Sequence, residues 1–372
     1  METSRLDRVT AALHGRGMAG LALMPDANLT YLTGLTFHHG KRLTLAIFPA
    51  DGSQPCFIIP ALERTRAEAS SSIPMRYFPW ADADGPVEAA RAAMEAALGP
   101  ALRGMPLGVE YTALRVMELR GLEAAMPGIE VADATDLLAE LRMAKDADEL
   151  AIMEQAARIV EAGLARAIGQ IRVGMTERQL SKIVSEEIVA AGGEGESFEN
   201  IVASGPNGAN PHHSNSDRAF VSGDLITIDC GARYRGYISD TTRTVALGEP
   251  DAEARAVYDL VRRANEAGKA AARPEASGSE IDAAARQVIE AGGYGAYFIH
   301  RTGHGIGMEV HELPNIVAGS DAPLVPGTTF TIEPGIYIPG RIGVRIEDDM
   351  VITADGARSL TNMSRELLVI PA

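Results

Sequence analysis

The apolar positions of this chain follow a helical period in some segments and form short continuous runs in others. Within the first 143 residues, the helical period predicts helices and the apolar runs predict strands. The predicted helices are 4–17, 86–98 and 111–126, and the predicted strands are 19–24, 43–50 and 55–62. This mixture predicts a small α/β domain with a mixed sheet.

The pattern changes near Lys145, where a long helical period begins with Asp146 or Asp148 as its N-cap. A change of this kind indicates a domain boundary, and a chain of 372 residues is long enough for two domains. We therefore predict one domain over 1–143 and a second over 144–372, with Thr135 as the alternative position of the boundary.

The second part contains a weak internal repeat of a long helix followed by a shorter helix and a strand-rich segment. In the first copy, the helix over 148–170 precedes a capping box from Thr176 to Gln179. In the second copy, the helix over 251–272 precedes a helix start at Ser279. Two similar halves of this kind would enclose a cleft at their junction.

Composition narrows the class of protein. Hydrophobic residues make up 46% and charged residues 23%, as in an ordinary globular chain. The excess of 50 acidic over 34 basic residues gives a formal charge of −16, which argues against binding nucleic acid or an anionic membrane. The charged N-terminus METSRLDR lacks the apolar core of a signal peptide, and no apolar run reaches roughly 18 residues, so we expect a cytoplasmic protein.

Cysteine chemistry is not expected to contribute. The chain has two cysteines, Cys56 and Cys230, which excludes a disulfide framework and a thiolate zinc site. Cys230 lies in an apolar run beside Asp229, and a neighbouring carboxylate disfavours the thiolate. We therefore interpret Cys230 as a buried structural residue.

The segment 224–247 is predicted to be a hairpin that carries Asp229 and Asp240. If the chain turns around Tyr234 and Arg235, the two aspartates lie directly opposite each other, where two bare carboxylates repel. One interpretation is that Arg233 or Arg243 neutralises one of them, or that one is exposed. The other is that a metal ion bridges them.

Three further segments place chemistry-bearing residues in glycine-rich or apolar surroundings. The stretch 300–312 holds His300, His304 and His311 between glycines. Glu333 ends an apolar strand and Glu347 is predicted to lie in another, and a buried glutamate must be paired or bound to a metal. For Glu347 the alternative is an ion pair with Arg345, the nearby cation in sequence.

The combined donor set suits divalent metals. It comprises four carboxylates and one imidazole: Asp229, Asp240, His304, Glu333 and Glu347. Oxygen-rich donors favour hard or intermediate ions such as Mn²⁺, and four carboxylates balance the charge of two such ions. Two neighbouring ions can share and acidify a water molecule and polarise a carbonyl.

These residues resemble the metallopeptidases of the pita-bread fold, family M24, and most closely its Xaa-Pro dipeptidases (prolidases) and X-prolyl aminopeptidases. The similarity rests on the aspartate pair, on GHGIG followed by VHE, and on the glutamates of IEPG and RIED. It covers the chain from about residue 145 onward, whereas residues 1–140 resemble the creatinase-type N-terminal domain in length and order only. It implies an α+β chain: a creatinase-type α/β domain followed by a pita-bread domain with two pseudo-twofold halves.

The resemblance also implies roles for the metal-binding residues. Asp229 would bind one ion, Asp240 and Glu347 would bridge both, and His304 and Glu333 would complete the shell of the second. The expected cofactors are two Mn²⁺ ions, with Co²⁺, Fe²⁺ or Zn²⁺ as alternatives. A metal-bridging hydroxide would attack the carbonyl of the first residue of a short peptide with proline in second position.

Further roles follow by the same resemblance for residues that act on the substrate. Glu333 would take a proton from the nucleophile, and His311 would stabilise the oxyanion. His212 would contact the substrate near the scissile bond, although a register that uses His213 is also open. His300 would line the cleft and Arg345 would orient the substrate.

Three alternatives to an Xaa-Pro dipeptidase stay open. The chain could be an X-prolyl aminopeptidase on longer peptides, or act on a non-peptide amide, as ectoine hydrolases do, or on a sulfonium substrate. Metal-free creatine-type chemistry and a non-catalytic binding module fit less well, because the full ligand set is present. The resemblance also implies a homodimer. His38, His39 and Arg42 either contact solvent, which we favour, or reach the cleft of a neighbouring subunit.

Overall fold

The strands of the first unit of the chain are three to five residues long, and most of them are apolar runs. The computed structural model describes residues 4–99 and 104–372, which divide into two units between Leu141 and Arg142. The strands of the first part are β1 (Gly20–Leu23), β2 (Leu45–Pro49), β3 (Cys56–Pro60), β4 (Arg76–Trp80), β5 (Leu107–Val109) and β6 (Val131–Asp133). The helices are α1 (Arg5–Gly15), α2 (Ala27–Thr33), α3 (Arg64–Ser70), α4 (Val87–Leu98), α5 (Val116–Ala125) and α6 (Thr135–Met143).

These strands form one mixed sheet in the order β4-β3-β2-β1-β5-β6. Strand β1 runs antiparallel to β2 and parallel to β5, as a mixed sheet requires. The core lies under this sheet, where Leu45, Ile58 and Leu107 are buried with Met94 of α4. The helix predicted to begin at residue 111 begins at Val116, because the amides of residues 113 and 114 close a turn on the Glu110 carbonyl.

The second unit begins with long helices and continues with short strands, twice over. Its first copy contains α7 (Ala147–Ile168), α8 (Glu177–Ala190), β7 (Gly195–Glu196), β8 (Ile201–Ser204), β9 (Leu225–Cys230), β10 (Ala232–Tyr234), β11 (Tyr237–Ile238) and β12 (Thr241–Leu247). Its second copy contains α9 (Ala252–Ala271), α10 (Gly278–Ala291), β13 (Gly303–Gly305), β14 (Glu312–Ile316), β15 (Thr329–Ile332), β16 (Gly335–Ile338), β17 (Ile342–Arg345), β18 (Asp348–Ile352) and β19 (Ala357–Ser359), and β20 (Val369–Ile370) follows.

The two copies have the same topology. Strands β8, β9 and β12 are neighbours in one sheet, and β13, β15 and β18 are neighbours in another. The start of the short helix is bridged to a later segment in both copies, by Thr176 with Ala219 and by Ser277 with Pro323. The repeat in sequence is therefore a repeat in structure, and we call the copies the first half (147–247) and the second half (252–359).

Helix capping sets where the long and short helices begin. Asp146 caps α7 and Thr176 caps α8, each through a capping box. The predicted start of α10 at Ser279 is wrong by two residues, because Ser277 accepts from the Glu280 amide and is the N-cap. None of the helices within residues 4–99 and 104–372 is long and apolar enough to cross a membrane.

Candidate metal centre

Asp229 and Asp240 lie on one hairpin, but not directly opposite each other. Asp229 is the penultimate residue of β9 and is paired with Thr242, while Asp240 directly precedes β12. The turn is formed by Arg235 and Gly236, whose φ angles of 49° and 82° match a type I′ hairpin turn. The prediction of a turn around Tyr234 and Arg235 is therefore one residue early. The two aspartates still share a face of the ladder, as diagonal neighbours.

The other three predicted ligands come from the second half. His304 lies in β13 at an irregularity in its pairing with β14, the kind of bulge that redirects a side chain. Glu333 is the first residue after β15, as predicted. The prediction that Glu347 lies within a strand is wrong, because it occupies the two-residue gap between β17 and β18, where the chain passes from one sheet to another.

The five residues face one cavity of about 480 Å³. Asp240, His304 and Glu347 form the tightest group, with one ligand atom from each within 4.8 Å of the others. Glu333 Oε1 lies 3.4 Å from His304 Nε2. The remaining lining residues are Phe198, Ile201, Pro211, His212, His300, Arg301, Val310, His311 and Arg345.

The pKa values of Asp240, Glu333 and Glu347 are raised in this cavity, so their ionisation is disfavoured. Burial raises the pKa of Glu333 to about 7. Burial, followed by repulsion from neighbouring carboxylates, raises the pKa of Asp240 and of Glu347 well above the ordinary range. Such a cluster is stabilised when cations enter it.

The unused donor atoms fit divalent metals. Asp229 Oδ1, Asp240 Oδ1 and Glu347 Oε1 are buried and have no hydrogen-bond partner within the described part of the chain. His304 donates from Nδ1 to the Gly305 carbonyl at 3.0 Å, which leaves the lone pair of Nε2 toward the cavity. Burial lowers the pKa of His304 to about 3, so its imidazole is neutral, the form that binds metals.

Neighbouring groups hold the carboxylates in place. The Thr242 hydroxyl donates to Glu347 Oε2 at 2.6 Å, and the Asp240 amide donates to Asp349 Oδ2 at 3.0 Å. Arg345 donates to Asp229 Oδ2 at 2.5 Å, so its ion pair is with Asp229 rather than Glu347.

The other cations proposed as partners of the aspartates have different positions. Arg243 pairs with Asp348 at 2.7 Å, and Arg233 donates to the Ser197 carbonyl at 3.4 Å. Cys230 is fully buried, and burial raises the pKa of its thiol, which agrees with a structural role.

The histidines lie at different depths of the site. His212 is exposed and lines the cavity, whereas His213 is hydrogen-bonded to Glu177 at 2.7 Å and is not part of the lining. The ring of His311 stands edge-on to that of His304, with 4.4 Å between centroids. The structure therefore places His212, rather than His213, in the site.

The half-buried His300 is hydrogen-bonded to a buried pair, Tyr337 and Arg345. Its Nδ1 donates to the Arg301 carbonyl at 2.6 Å, so its Nε2 accepts from the Tyr337 hydroxyl at 2.9 Å. The Tyr337 oxygen in turn accepts from Arg345 at 2.9 Å. Burial lowers the pKa of His300 to about 4, which keeps it neutral and preserves this direction of donation.

Sequence reasoning missed three polar residues of the site, Arg301, Thr242 and Tyr337, as well as the apolar lining residues. Arg301 was detectable, because it is a cation next to His300 in a histidine-rich segment. Its guanidinium donates to Asn315 Oδ1 at 2.6 Å and has no ion-pair partner among residues 4–99 and 104–372. Thr242 and Tyr337 lie in ordinary strand patterns, and nothing in those patterns distinguishes them.

Comparisons with known proteins agree with this geometry. Residues 151–354 match the model of metallopeptidase family M24, and residues 5–144 match the creatinase/prolidase N-terminal domain. The chain is 40% identical over 370 residues to a probable dipeptidase PepE of Mycobacterium tuberculosis, covering 99% of this chain and 96% of that protein. It is 37% identical over 376 residues to a Xaa-Pro dipeptidase of Lactobacillus delbrueckii, covering 98% and 99% of the two chains.

Among solved structures, the prolidase from Thermococcus sibiricus is similar along the whole length of both chains, with a TM-score of 0.92 and 36% identity. The predicted fold, a creatinase-type domain followed by a pita-bread domain, is thereby confirmed. Full-length relatives and both family models lead to one assignment, and it agrees with the resemblance seen in the sequence: this chain is a metallopeptidase of family M24.

Proposed function

We propose that this metallopeptidase hydrolyses the Xaa-Pro bond of dipeptides. The observation that carries the proposal is one cavity that brings together a carboxylate-rich candidate metal site, two histidines and a cation, Arg301, that has no ion-pair partner among the described residues. A volume of about 480 Å³ suits a small peptide and does not by itself distinguish two residues from three. Relatives named as dipeptidases support the same substrate class.

Two divalent ions, with Mn²⁺ as the first candidate, would be held by Asp229, Asp240, His304, Glu333 and Glu347. When bound, they would supply an acidified water molecule and a Lewis acid for the scissile carbonyl. The charge of the four carboxylates and the unpaired oxygens of the site support this number of ions.

The remaining steps belong to the side chains. Water adds to the carbonyl carbon of the first residue, and Glu333 takes the proton that water gives up. His311 donates to the carbonyl oxygen as negative charge develops there. The carbon–nitrogen bond then breaks, and the proline nitrogen leaves with a proton returned from Glu333. His212 holds the substrate beside the bond, and the Arg345–Tyr337–His300 chain fixes the wall of the cavity.

Arg301 distinguishes a dipeptidase from an aminopeptidase. In a dipeptide, the residue after the scissile bond carries a free carboxylate, and a guanidinium can hold it by two charge-assisted hydrogen bonds. Arg301 lines the cavity with its charge unpaired by any carboxylate in the part of the chain that the structure describes. A longer peptide offers an uncharged amide at this position.

The direct test is hydrolysis of Ala-Pro and Ala-Pro-Ala by metal-stripped protein resupplied with Mn²⁺. We expect cleavage of the dipeptide alone. Cleavage of the tripeptide would make the protein an X-prolyl aminopeptidase. Failure on both, with Mn²⁺ still bound, would overturn a peptidase acting on Xaa-Pro and direct the search to non-peptide amides or sulfonium substrates.

A cytoplasmic homodimer stays a prediction from the sequence. In the first unit, Arg42 pairs with Asp82 at 2.6 Å on the surface, and His38 and His39 are exposed. This is the arrangement that solvated residues adopt, and we propose no role for these three residues in a neighbouring subunit.

A further inference from the structure

One buried carboxylate binds both ends of the loop that carries His212. This loop, residues 204–216, connects β8 toward β9 and includes a short 3₁₀-helix at Gly205–Ala209. Pro211 and His212 are its residues in the cavity lining. The His212 amide donates to Asn210 Oδ1 at 3.1 Å, a local turn that leaves the histidine at the tip.

The carboxylate is that of Glu177, the first residue of α8. Its side chain is fully buried and accepts hydrogen bonds from both ends of the loop. Oε1 accepts from the Ser204 amide at 2.9 Å, the Ser204 hydroxyl at 2.7 Å and Asn207 Nδ2 at 2.9 Å. Oε2 accepts from the Ser216 amide at 3.0 Å, the Ser216 hydroxyl at 2.6 Å and His213 Nε2 at 2.7 Å.

This number of contacts is unusual for a residue that only begins a helix. A carboxylate at a helix N-terminus is favoured by the helix dipole, but the capping of α8 is already complete through Thr176 and Gln179. A buried carboxylate needs several donors to offset its desolvation, and here the loop and its two ends provide all six. The geometry of the loop and the burial of Glu177 therefore depend on each other.

The loop also rests on a strand that carries a site residue. Gly208 lies against Gly343 of β17, where a Cβ built on Gly343 would be 1.7 Å from the Gly208 carbonyl oxygen. Arg345, two residues further along β17, donates to the Pro211 carbonyl at 3.5 Å. The loop is therefore held by β17 on one side and by the Glu177 carboxylate on the other.

We infer that Glu177 is a positioning residue for the peptidase reaction: by binding Ser204, His213 and Ser216, it holds His213 inward and His212 in the cavity. The inference rests on the proposed function and extends it to a residue outside the cavity lining. It also explains why one histidine of the adjacent pair faces the substrate, since the ring of His213 is already engaged.

The test is a double-mutant cycle between Glu177 and His212. Glu177→Gln keeps the shape of the side chain but turns an amide NH₂ toward the Ser216 amide and His213, where donors would face donors. We expect it to lower kcat/KM for Ala-Pro by roughly 10- to 100-fold through misplacement of His212. In a His212→Ala background, the same substitution should cost little more, because the group that it positions is gone.

The matched control is Gln179→Ala, which removes the exposed partner of the α8 capping box without touching the loop. We expect it to lower the melting temperature and leave kcat/KM near wild type. Hydrogen exchange gives a readout that is independent of activity: residues 204–216 should exchange faster in Glu177→Gln, and the start of α8 should do so in Gln179→Ala.

Each outcome decides one point. Equal losses from Glu177→Gln in the two backgrounds would overturn the positioning role and leave the proposed function standing. Wild-type protein that leaves Ala-Pro intact would overturn the proposed function. If wild type does not cleave Ala-Pro, hydrogen exchange still tests whether Glu177 anchors the loop. Unchanged exchange at 204–216 in Glu177→Gln would overturn the anchoring, and faster exchange would support it.

Discussion

The first and second halves of the second unit share one arrangement of helices and strands, but they contribute different side chains to the candidate metal site. The first half presents Asp229 and Asp240 on one continuous hairpin. The second half presents His304, Glu333 and Glu347 from a bulge, a strand end and a gap between strands. A repeated arrangement of helices and strands thus determines where the cavity lies, and irregularities unique to each half determine which donors reach it.

The contrast extends to the starts of the two short helices. Glu177 follows the cap of α8, whereas Gly278 follows the cap of α10. A Cβ on Gly278 would lie 2.3 Å from the Asn315 carbonyl oxygen, so backbone occupies the space that a side chain fills in the first half. In the second half, the loop before His311 is held instead by Glu312, which accepts from Lys145 at 3.0 Å and from the Met308 amide at 2.8 Å.

The largest expected effect concerns a donor of the second half. Glu333→Gln removes the group that we propose takes the proton from water, so we expect kcat on Ala-Pro to fall by roughly 10³-fold with the fold retained. Steady-state kinetics and circular dichroism measure the two quantities, with Glu266→Gln on the surface of α9 as the control. Near-normal turnover would mean that the two halves do not divide the chemistry as proposed.

Metal removal tests whether the halves depend on each other. Without cations, the carboxylates of both halves repel, so chelation should lower the melting temperature and Mn²⁺ should restore it. At 100 times the dissociation constant, a ligand stabilises the native state by about 2.7 kcal/mol. Asp240→Asn should abolish most of this shift in a calorimetric scan. If Mn²⁺ raised the melting temperature of Asp240→Asn as much as that of wild type, Asp240 of the first half would not take part in binding the metal.

The next prediction concerns Arg301, a residue of the second half that we propose binds the carboxylate of the substrate. Arg301→Ala should reduce kcat/KM for Ala-Pro by roughly 10- to 100-fold, because a hydrogen bond to a charged group contributes about 1.5–3 kcal/mol. Ala-Pro amide, which lacks the carboxylate, should be unaffected by the substitution. Arg301→Lys, which retains the charge, should lose less. An equal loss on both substrates would contradict capture of the carboxylate.

The smallest expected effect is a pH dependence of the free energy of unfolding, which comes from Glu177 in the first half. Burial alone would raise the pKa of Glu177, but hydrogen bonds from Ser216, Asn207, His213 and Ser204 lower it to about 2, from 4.5 in an unfolded chain. The contribution of the ionised Glu177 to the free energy of unfolding is therefore complete above about pH 4.5 and is lost as the pH falls toward 2.

Urea unfolding of wild type and Glu177→Gln at pH 6, 4.5 and 3 measures this dependence. The difference in unfolding free energy should be largest at pH 6 and should shrink at pH 3. A difference that stays constant or grows toward low pH would show that the charge of Glu177 does not stabilise its loop.

Sequence alone predicted the long helices and several of the strands, and it identified the carboxylates and the imidazole that the structure brings to one cavity, because both are expressed in local patterns. Helical period, capping residues and apolar runs locate α7, α9 and the strand before Glu333, and residue type identifies carboxylates in apolar surroundings. The hairpin register was missed because it depends on one turn, where Arg235 adopts a left-handed conformation next to Gly236. Moving the turn by one residue changes every pair in the ladder.

The contacts that support the site could not be predicted, because the partners are far apart in the sequence. Thr242 contacts Glu347 across 105 positions, and Arg345 contacts Asp229 across 116. Glu177 is an ordinary acidic residue at a helix start until the loop at 204–216 folds onto it. Contacts of this kind depend on tertiary structure and leave no periodic trace in the chain.

The backbone contact between Gly208 and Gly343 has an evolutionary consequence. Because the two segments touch through backbone atoms, the two positions differ in the space left for a side chain. A Cβ on Gly343 would lie 1.7 Å from the Gly208 carbonyl oxygen, whereas a Cβ on Gly208 would lie 3.0 Å from the Gly343 nitrogen. In a saturation-mutagenesis library Gly343 should therefore tolerate glycine alone, and alanine should cost less at Gly208 than at Gly343. Selection at Gly343 would be strict although this residue performs no chemistry, because the backbone of Gly208 occupies the space of its side chain.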